Sequence, residues 1–305
     1  MMGPYTFFLC CLWAAAAAGI AWYAAAIASQ ITYVTLADGR RQERRLPLAF
    51  RLLLPLAPTF YPFFKRKSFD RPKENIARKL LSAGFEGLLA PEEFLSLRIL
   101  LPLVLGPLWI LFIAAAAAGT RSALLGSLRV PLSILGPALF FFYPPLWLRD
   151  AVQKRHRAIQ KALPFVLDLL TLSVEAGMDF MTALQRNVEK GKLDALGEEL
   201  LRVIREIQVG KTRREALRDM ARRVNLQELK SVVHALVQAD ELGVSIGMIL
   251  RIQADQIRQR RFERAEKLAH EAPVKMLAPL VIFIFPSVFL VLLGPVVARI
   301  LEQGL

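Results

Sequence analysis

The stretch Glu175-Ala176-Gly177-Met178-Asp179-Phe180, followed by Leu184, has a counterpart 66 residues later: Glu241-Leu242-Gly243-Val244-Ser245-Ile246, followed by Leu250. Each copy reads as the end of one helix and the start of another. The glycine permits the left-handed turn that closes a helix, and Asp179 or Ser245 offers an oxygen to the open N–H groups of the next. Two such corners at one spacing predict an αα-hairpin used twice in a helical domain. Both corners also carry an acid in the last helical turn. There it faces the negative end of the helix dipole, at a cost of about 0.3–1 kcal/mol. Two readings of Glu175 and Glu241 stay open. Either each is solvated or bonded to a nearby arginine, or the corners meet and each glutamate accepts N–H bonds at the start of the partner helix.

The surrounding punctuation extends this pattern. Residues 165–272 contain no proline, although the chain has 18. A helix is expected over about 150–176, with Leu163, Val166, Leu167, Leu170 and Val174 recurring at helical spacing. A short helix to about Lys190 follows, then one over 194–209 stopped by Gly210. Thr212-Arg213-Arg214-Glu215 spells a capping box, and Asn225 with Glu228 a weaker one. A fifth helix ends at Gly243. Ser245 opens a sixth that leads to the membrane, with Pro273 marking the junction.

The rest of the chain is built for lipid. Of 305 residues, 55% are hydrophobic, yet the formal net charge is +14, which excludes a disordered chain and disfavours a single soluble domain. Four runs approach the length of a bilayer span: 7–28, 99–118, 130–148 and 276–298. Nine of the prolines fall inside the last three, where neighbouring helices can re-satisfy the freed carbonyls. Segment 29–97 holds 12 Lys/Arg and segment 149–275 holds 24, whereas 119–129 has only Arg121 and Arg129 and the tail only Arg299. The positive-inside bias then gives one arrangement. Residues 1–6 are periplasmic, 7–28 cross, and 29–97 form a cytoplasmic basic segment. Residues 99–118 cross back, 119–129 form a periplasmic loop, and 130–148 cross again. Residues 149–275 form the cytoplasmic bundle, 276–298 are the fourth span, and 299–305 are a periplasmic tail. The expected fold class is an all-α membrane protein: four transmembrane helices with a cytoplasmic six-helix bundle of two pseudo-repeated three-helix halves. The weaker run 46–64, with Arg51 and four prolines, is expected at the membrane surface or packed on the bundle. Ala26-Ile27-Ala28 resembles a signal-peptidase site, but residues 1–6 lack Lys and Arg, so an uncleaved anchor is expected.

Little in the sequence points to chemistry. The basic balance follows from the positive-inside bias and contact with anionic membrane lipid, and nucleic acid is not an expected partner. His156, His234 and His270 lack metal-ligand spacing, and the cysteines, Cys10 and Cys11, read as packing residues inside the first span. His156, in Lys154-Arg155-His156-Arg157, reads as part of a solvated face, and His234 as a packed side chain. There is no Walker sequence and no Gly-x-Gly-x-x-Gly. The spans carry no carboxylate for an ion path, which disfavours a transporter. No enzyme activity, metal or cofactor is expected. The rival reading is a membrane-anchored signalling or sensor protein with a helical cytoplasmic domain, although no nucleotide-binding domain accompanies it.

Taken together, several motifs resemble the type II secretion system F domain over about 160–290. They are Leu163-Pro164-Phe165-Val166-Leu167-Asp168, Glu175-Ala176-Gly177, Gly210 before Ala216-Leu217, Glu241-Leu242-Gly243, and Ala272-Pro273-Val274-Lys275-Met276 followed by Pro279-Leu280 and Phe285-Pro286. The chain is most similar to the tight-adherence protein C branch of Flp pilus assembly. Ala83-Gly84-Phe85 and Pro91-Glu92-Glu93-Phe94 resemble the reduced N-terminal part of that branch. The resemblance implies a platform in the bacterial inner membrane. It implies as partners a hexameric secretion ATPase, a paralogous F-domain protein of the tight-adherence B type and pilin, and it implies an oligomer. On this reading the residues to watch are the corners (Glu175, Gly177, Asp179, Glu241, Gly243, Ser245) and the membrane junction (Pro273, Lys275, Pro279, Pro286).

Overall fold

The computed structural model describes residues 33–35, 41–43, 46–54, 70–119, 123–191 and 194–303. The expected first span, 7–28, lies outside the described residues, as do most of 29–69, residues 120–122 and the last two residues of the tail.

The described chain is helical apart from a small antiparallel hairpin, β1 (Tyr33–Thr35) and β2 (Arg41–Glu43), in the register Val34 to Gln42. This pair of three-residue strands leaves the described chain all-helical in class, as the sequence predicts. Its alternating Tyr-Val-Thr and Arg-Gln-Glu triplets are too short to stand out against the apolar runs. The helices are α1 (Leu48–Leu53), α2 (Asp70–Ala83), α3 (Pro91–Gly119), α4 (Ala123–Glu175), α5 (Phe180–Lys190), α6 (Ala195–Gln208), α7 (Arg213–Val224), α8 (Gln227–Leu242) and α9 (Ile246–Gln303).

Two of these are far longer than any single task requires. At 1.5 Å per residue, α4 is about 80 Å long and α9 about 87 Å. Each carries one apolar stretch long enough to cross a bilayer and one stretch packed into the helical bundle, in an unbroken helix. Among the described residues three helices are long and apolar enough to cross a membrane, within Pro91–Leu111, Val130–Glu175 and Ile246–Ile300. Pro273 does not interrupt α9, although the sequence reading placed a junction there. Similarly, the expected loop 119–129 shrinks, because α4 is already helical at Ala123.

Two separate cores hold the molecule. The larger is fed by six helical stretches: Ile159, Leu163, Leu167 and Leu170 from α4, Leu184 from α5, Val203 from α6, Met220 from α7, Leu229 and Val233 from α8, and Leu250, Ala254 and Ile257 from α9. The smaller lies at the foot of the α3–α4 hairpin. There Phe50 of α1 is fully buried against Phe94 of α3 and Tyr143 and Trp147 of α4, with edge-on ring contacts at centroid distances of 6.5, 6.0 and 5.0 Å. The 46–64 run therefore contributes a helix packed on the span hairpin. Edge-to-face pairs of this kind contribute about 0.5–1.5 kcal/mol each beyond burial.

Higher in the hairpin, α3 and α4 approach closely at Gly106 and Gly136. A Cβ on Gly136 would lie 2.1 Å from Cδ1 of Trp109, so only glycine fits under that ring. The Trp109 indole N–H donates to the Leu132 carbonyl at 2.9 Å, which places the ring across the two helices.

Candidate functional site

The corners form as their residues dictate. Gly177 and Gly243 take left-handed φ values of +88° and +64°. The N–H of Met178 reaches back to Ser173 and that of Val244 to Ala239, both at 3.0 Å, closing α4 and α8. Asp179 caps α5 through Met181 N–H at 2.9 Å. Ser245 precedes α9, and its carbonyl accepts from Ile249 at 3.3 Å.

The two corners are neighbours. A Cβ on Gly247 would lie 3.4 Å from Val174 Cγ1 and 3.8 Å from Glu175 Cγ. Arg213 reaches Asp179 of one corner at 4.0 Å and Asp240 beside the other at 3.6 Å. The carboxylates themselves pair with arginines: Glu175 with Arg251 at 3.6 Å, and Glu241 with Arg218 at 2.7 Å. The corners thus meet, while the charge of each acid is met by guanidinium.

Above the corners α4 and α9 run antiparallel along a ladder of polar contacts. Arg258 holds Asp168 at 3.0 and 3.1 Å, and Arg261 donates to the Gln160 carbonyl at 3.2 Å. Arg264 pairs with Glu228, whose two oxygens also accept from the Gln160 amide at 3.1 and 3.0 Å. Burial pushes the Glu228 carboxyl upward, but hydrogen bonds from Gln160, from its own backbone N–H and from Arg264 outweigh it. The net result is below the usual carboxylate value. Beyond Arg264 α9 leaves the bundle. None of its most apolar 18-residue window is buried in the monomer.

A second polar system braces α4 beneath the span. Arg155 lies seven residues below Leu148, about 10 Å along the helix. It is buried and donates from its two terminal nitrogens to Glu198 and Glu199 of α6, each at 2.9 Å. Arg223 of α7 continues the network to Glu199 at 3.2 Å and Glu206 at 2.7 Å. Arg202 joins Glu206 at 3.3 Å and also pairs with Glu86, in the turn after α2. The Arg202 guanidinium holds the Glu86 carboxyl below its usual range. Ser82 of α2 donates to the Arg223 carbonyl at 3.0 Å, so α2 is fastened to the bundle.

Several of these residues escaped the sequence reading. Lys154-Arg155-His156-Arg157 is solvated only at Lys154 and Arg157, because Arg155 is buried and His156 Nε2 contacts the Val224 carbonyl at 2.8 Å. The signal was present: Arg155 lies four residues before Ile159, on the stripe that continues through Leu163 and Leu167. His234 is exposed rather than packed. Asn225 ends α7 with a left-handed φ of 54° instead of opening α8, whose cap position, Leu226, offers no side-chain acceptor. The Thr212–Glu215 capping box is present in both directions. Pro273, Lys275, Pro279 and Pro286 all lie inside α9, and Lys275 pairs with Glu271 at 2.9 Å. Among the described residues no group of His, Cys, Asp or Glu is arranged to hold a metal ion.

A braced helix and a latched helix, both rising from one core into apolar spans, define the part of the molecule that comparison with known families addresses. Residues 166–294 match the family model of Type II secretion system (T2SS), protein F. The match runs from the middle of α4 through both corners and into the last span, and it supports the F family for this chain. No curated protein matches the chain, and no solved structure matches it. Three helices long and apolar enough to cross a bilayer, together with this match, support a multi-pass membrane protein.

Proposed function

We propose that this chain is an inner-membrane platform protein of a type IV pilus, Flp/Tad type, or of a type II secretion machine. Its bundle faces the cytoplasm and couples a hexameric secretion ATPase to extraction of pilin from the membrane. It acts as a structural coupler and not as an enzyme. A second F-domain protein of the tight-adherence B type completes an oligomeric platform, and 7–28 supplies a fourth span. The two corners relate two three-helix halves about a pseudo-two-fold axis.

The observation that carries this reading is the F-family match over 166–294 on a domain whose first and last helices run without a break into apolar spans. A helix transmits displacement along its axis, whereas a flexible loop between bundle and span would absorb it. The prolines of α3, α4 and α9 mark membrane helices whose backbone leaves room for a pilin helix.

The test is removal of 150–272 from the chain in its own membrane. Insertion of the remaining spans should persist, and co-purification of a co-expressed secretion ATPase should be lost. Retained recruitment refutes the role of the bundle. Thiol labelling of Gly210→Cys only from the periplasmic side refutes the orientation.

A further inference from the structure

We propose that the cleft between α7 and α8 docks an acidic segment of a protein partner. The cleft has a volume of about 610 Å³. Arg218 and Arg222 line one wall and Lys230 and His234 the other, over a floor of Ala221 and Val233, and no carboxylate lines it.

The spacing identifies the occupant. Arg218 and Arg222 stand at i and i+4 on one wall, a rise of about 6 Å on one helix, and Lys230 faces them from the other. The positive charge is therefore spread along the cleft instead of converging on a point, as a lone phosphate would require. Acids at i and i+4 of a helix repeat at the same rise, and alternate residues of an extended segment repeat at about 6.6 Å. No Phe, Tyr or Trp lines the cleft to form a stacking platform for successive bases, which disfavours single-stranded nucleic acid. The direction of the cleft disfavours a lipid surface. Glu228, at the start of α8, bonds to Gln160, and the corner after α8 abuts Val174 and Glu175. So α8 runs alongside the cytoplasmic part of α4, which continues into the membrane, and a flat bilayer would meet only one end of the cleft.

The cations are not locked away. Arg218 pairs with Glu241 at 2.7 Å, Arg222 with Asp219, and Lys230 with the Asn225 side chain. Exposed pairs of this kind contribute little, so a partner's carboxylates exchange with them readily. The inference rests on the platform reading in one respect, that a partner reaches the bundle on its side of the membrane.

The experiment uses the full-length protein in phosphatidylcholine nanodiscs and a fluorescent helix-forming peptide with glutamates at i and i+4. Its glutamine and lysine counterparts serve as references. The glutamate peptide should bind at least about ten-fold more tightly than the glutamine one. Arg222→Glu with Lys230→Glu should weaken it by a similar factor and create binding of the lysine peptide. Arg186→Glu with Lys190→Glu, exposed on α5 away from the cleft, should change neither. If the reversed variant is misfolded by circular dichroism, Arg222→Ala and Lys230→Ala, each tested alone, carry the same expectation in smaller measure. Equal binding of the glutamine peptide, or binding indifferent to these substitutions, overturns the proposal. It is also overturned if inorganic phosphate or an oligouridylate displaces the peptide at lower concentration than free glutamate peptide does. Cleft-dependent binding to phosphatidylglycerol vesicles without peptide binding would assign the cleft to lipid instead. No ATPase is present in the assay, so a failure of the platform reading leaves each outcome interpretable.

Discussion

Replacing Arg155 by alanine should loosen the bundle where it meets the membrane, and the size of the effect follows from the geometry. The side chains of Arg155, Glu198 and Glu199 are 7, 6 and 8% exposed, so water cannot take over the lost interactions. Removing one partner of a buried ion pair costs about 3–5 kcal/mol, because the remaining charge stays desolvated. Two features pull this site toward the low end. Glu199 keeps Arg223 at 3.2 Å, and the buried Nε of Arg155, which has no acceptor, disappears with the side chain. A loss of about 3 kcal/mol corresponds to a rise of about a hundred-fold in amide exchange governed by local opening. Hydrogen exchange on the full-length protein in micelles should show this rise in α6 and in α4 around residue 155. Protection of the α3–α4 hairpin near Gly136 should be unchanged. Arg155→Lys should fall between, since one ammonium cannot span both carboxylates. Arg155→Met combined with Glu198→Gln and Glu199→Gln should recover most of the loss. If Arg155→Ala raises exchange in α6 by less than about three-fold, the buried network is not holding these helices together.

Three further outcomes are expected. Gly136→Ala should lower the thermal midpoint in micelles, by overpacking of about 1–3 kcal/mol, because its Cβ meets the Trp109 ring at 2.1 Å. Adding Trp109→Leu should restore it, and strictly additive effects would refute the contact. Glu228, lowered in the fold from its usual 4.5, contributes stability that is complete above that value and is lost as pH falls through the lowered one. Melting scans from about pH 6 down to about pH 3 should therefore show a shallower acid loss for Glu228→Gln, and an unchanged slope contradicts this assignment. Gly243→Ala should cost about 1–2 kcal/mol in backbone strain alone, since nothing lies within 4 Å of a Cβ there. Gly243→Asn should cost less, and equal losses for the two would point to packing instead of φ.

What was legible in the sequence was whatever depends on neighbours along the chain. Gly177, Gly243, Asp179 and the Thr212–Glu215 box are local devices, and each forms where its residues stand. The apolar stripe Leu163–Leu167–Leu170 is buried because helical periodicity alone fixes its side. The spans 99–118, 130–148 and 276–298 lie in helices of sufficient length and apolarity. The misses have two sources, a partner far away in sequence or a local signal that fits two conformations. Arg155 read as solvated because it sits among charges, and only α6 supplies the two glutamates that let it be buried. Asn225 followed by a glutamate three residues on looks like a cap, but the chain uses the tolerance of asparagine for left-handed φ to end α7. Pro273 looked like a boundary, yet α9 continues through it. The hairpin β1–β2 carries too little hydrophobic contrast to be read from six residues.

The unequal treatment of the two long helices is the feature with the widest consequence. Around the end of its apolar stretch α4 is held on two sides, by the aromatic contacts of Phe50 and, just beyond, by the buried network to α6, and within that stretch it is held by α3. By contrast, α9 is fixed to the bundle only as far as Arg264, and its span has no buried face in the monomer. From Arg264 to Ile300 is 36 residues, about 54 Å of helix. A tilt of one degree at the latch therefore moves the far end by about 1 Å, without disturbing the α3–α4 hairpin. A force applied to the bundle relative to the membrane would then appear mainly as displacement of the last span. Among the described residues the compliance lies in the long helix whose upper half stays unburied, and the rigidity lies in the helix that carries the buried charges.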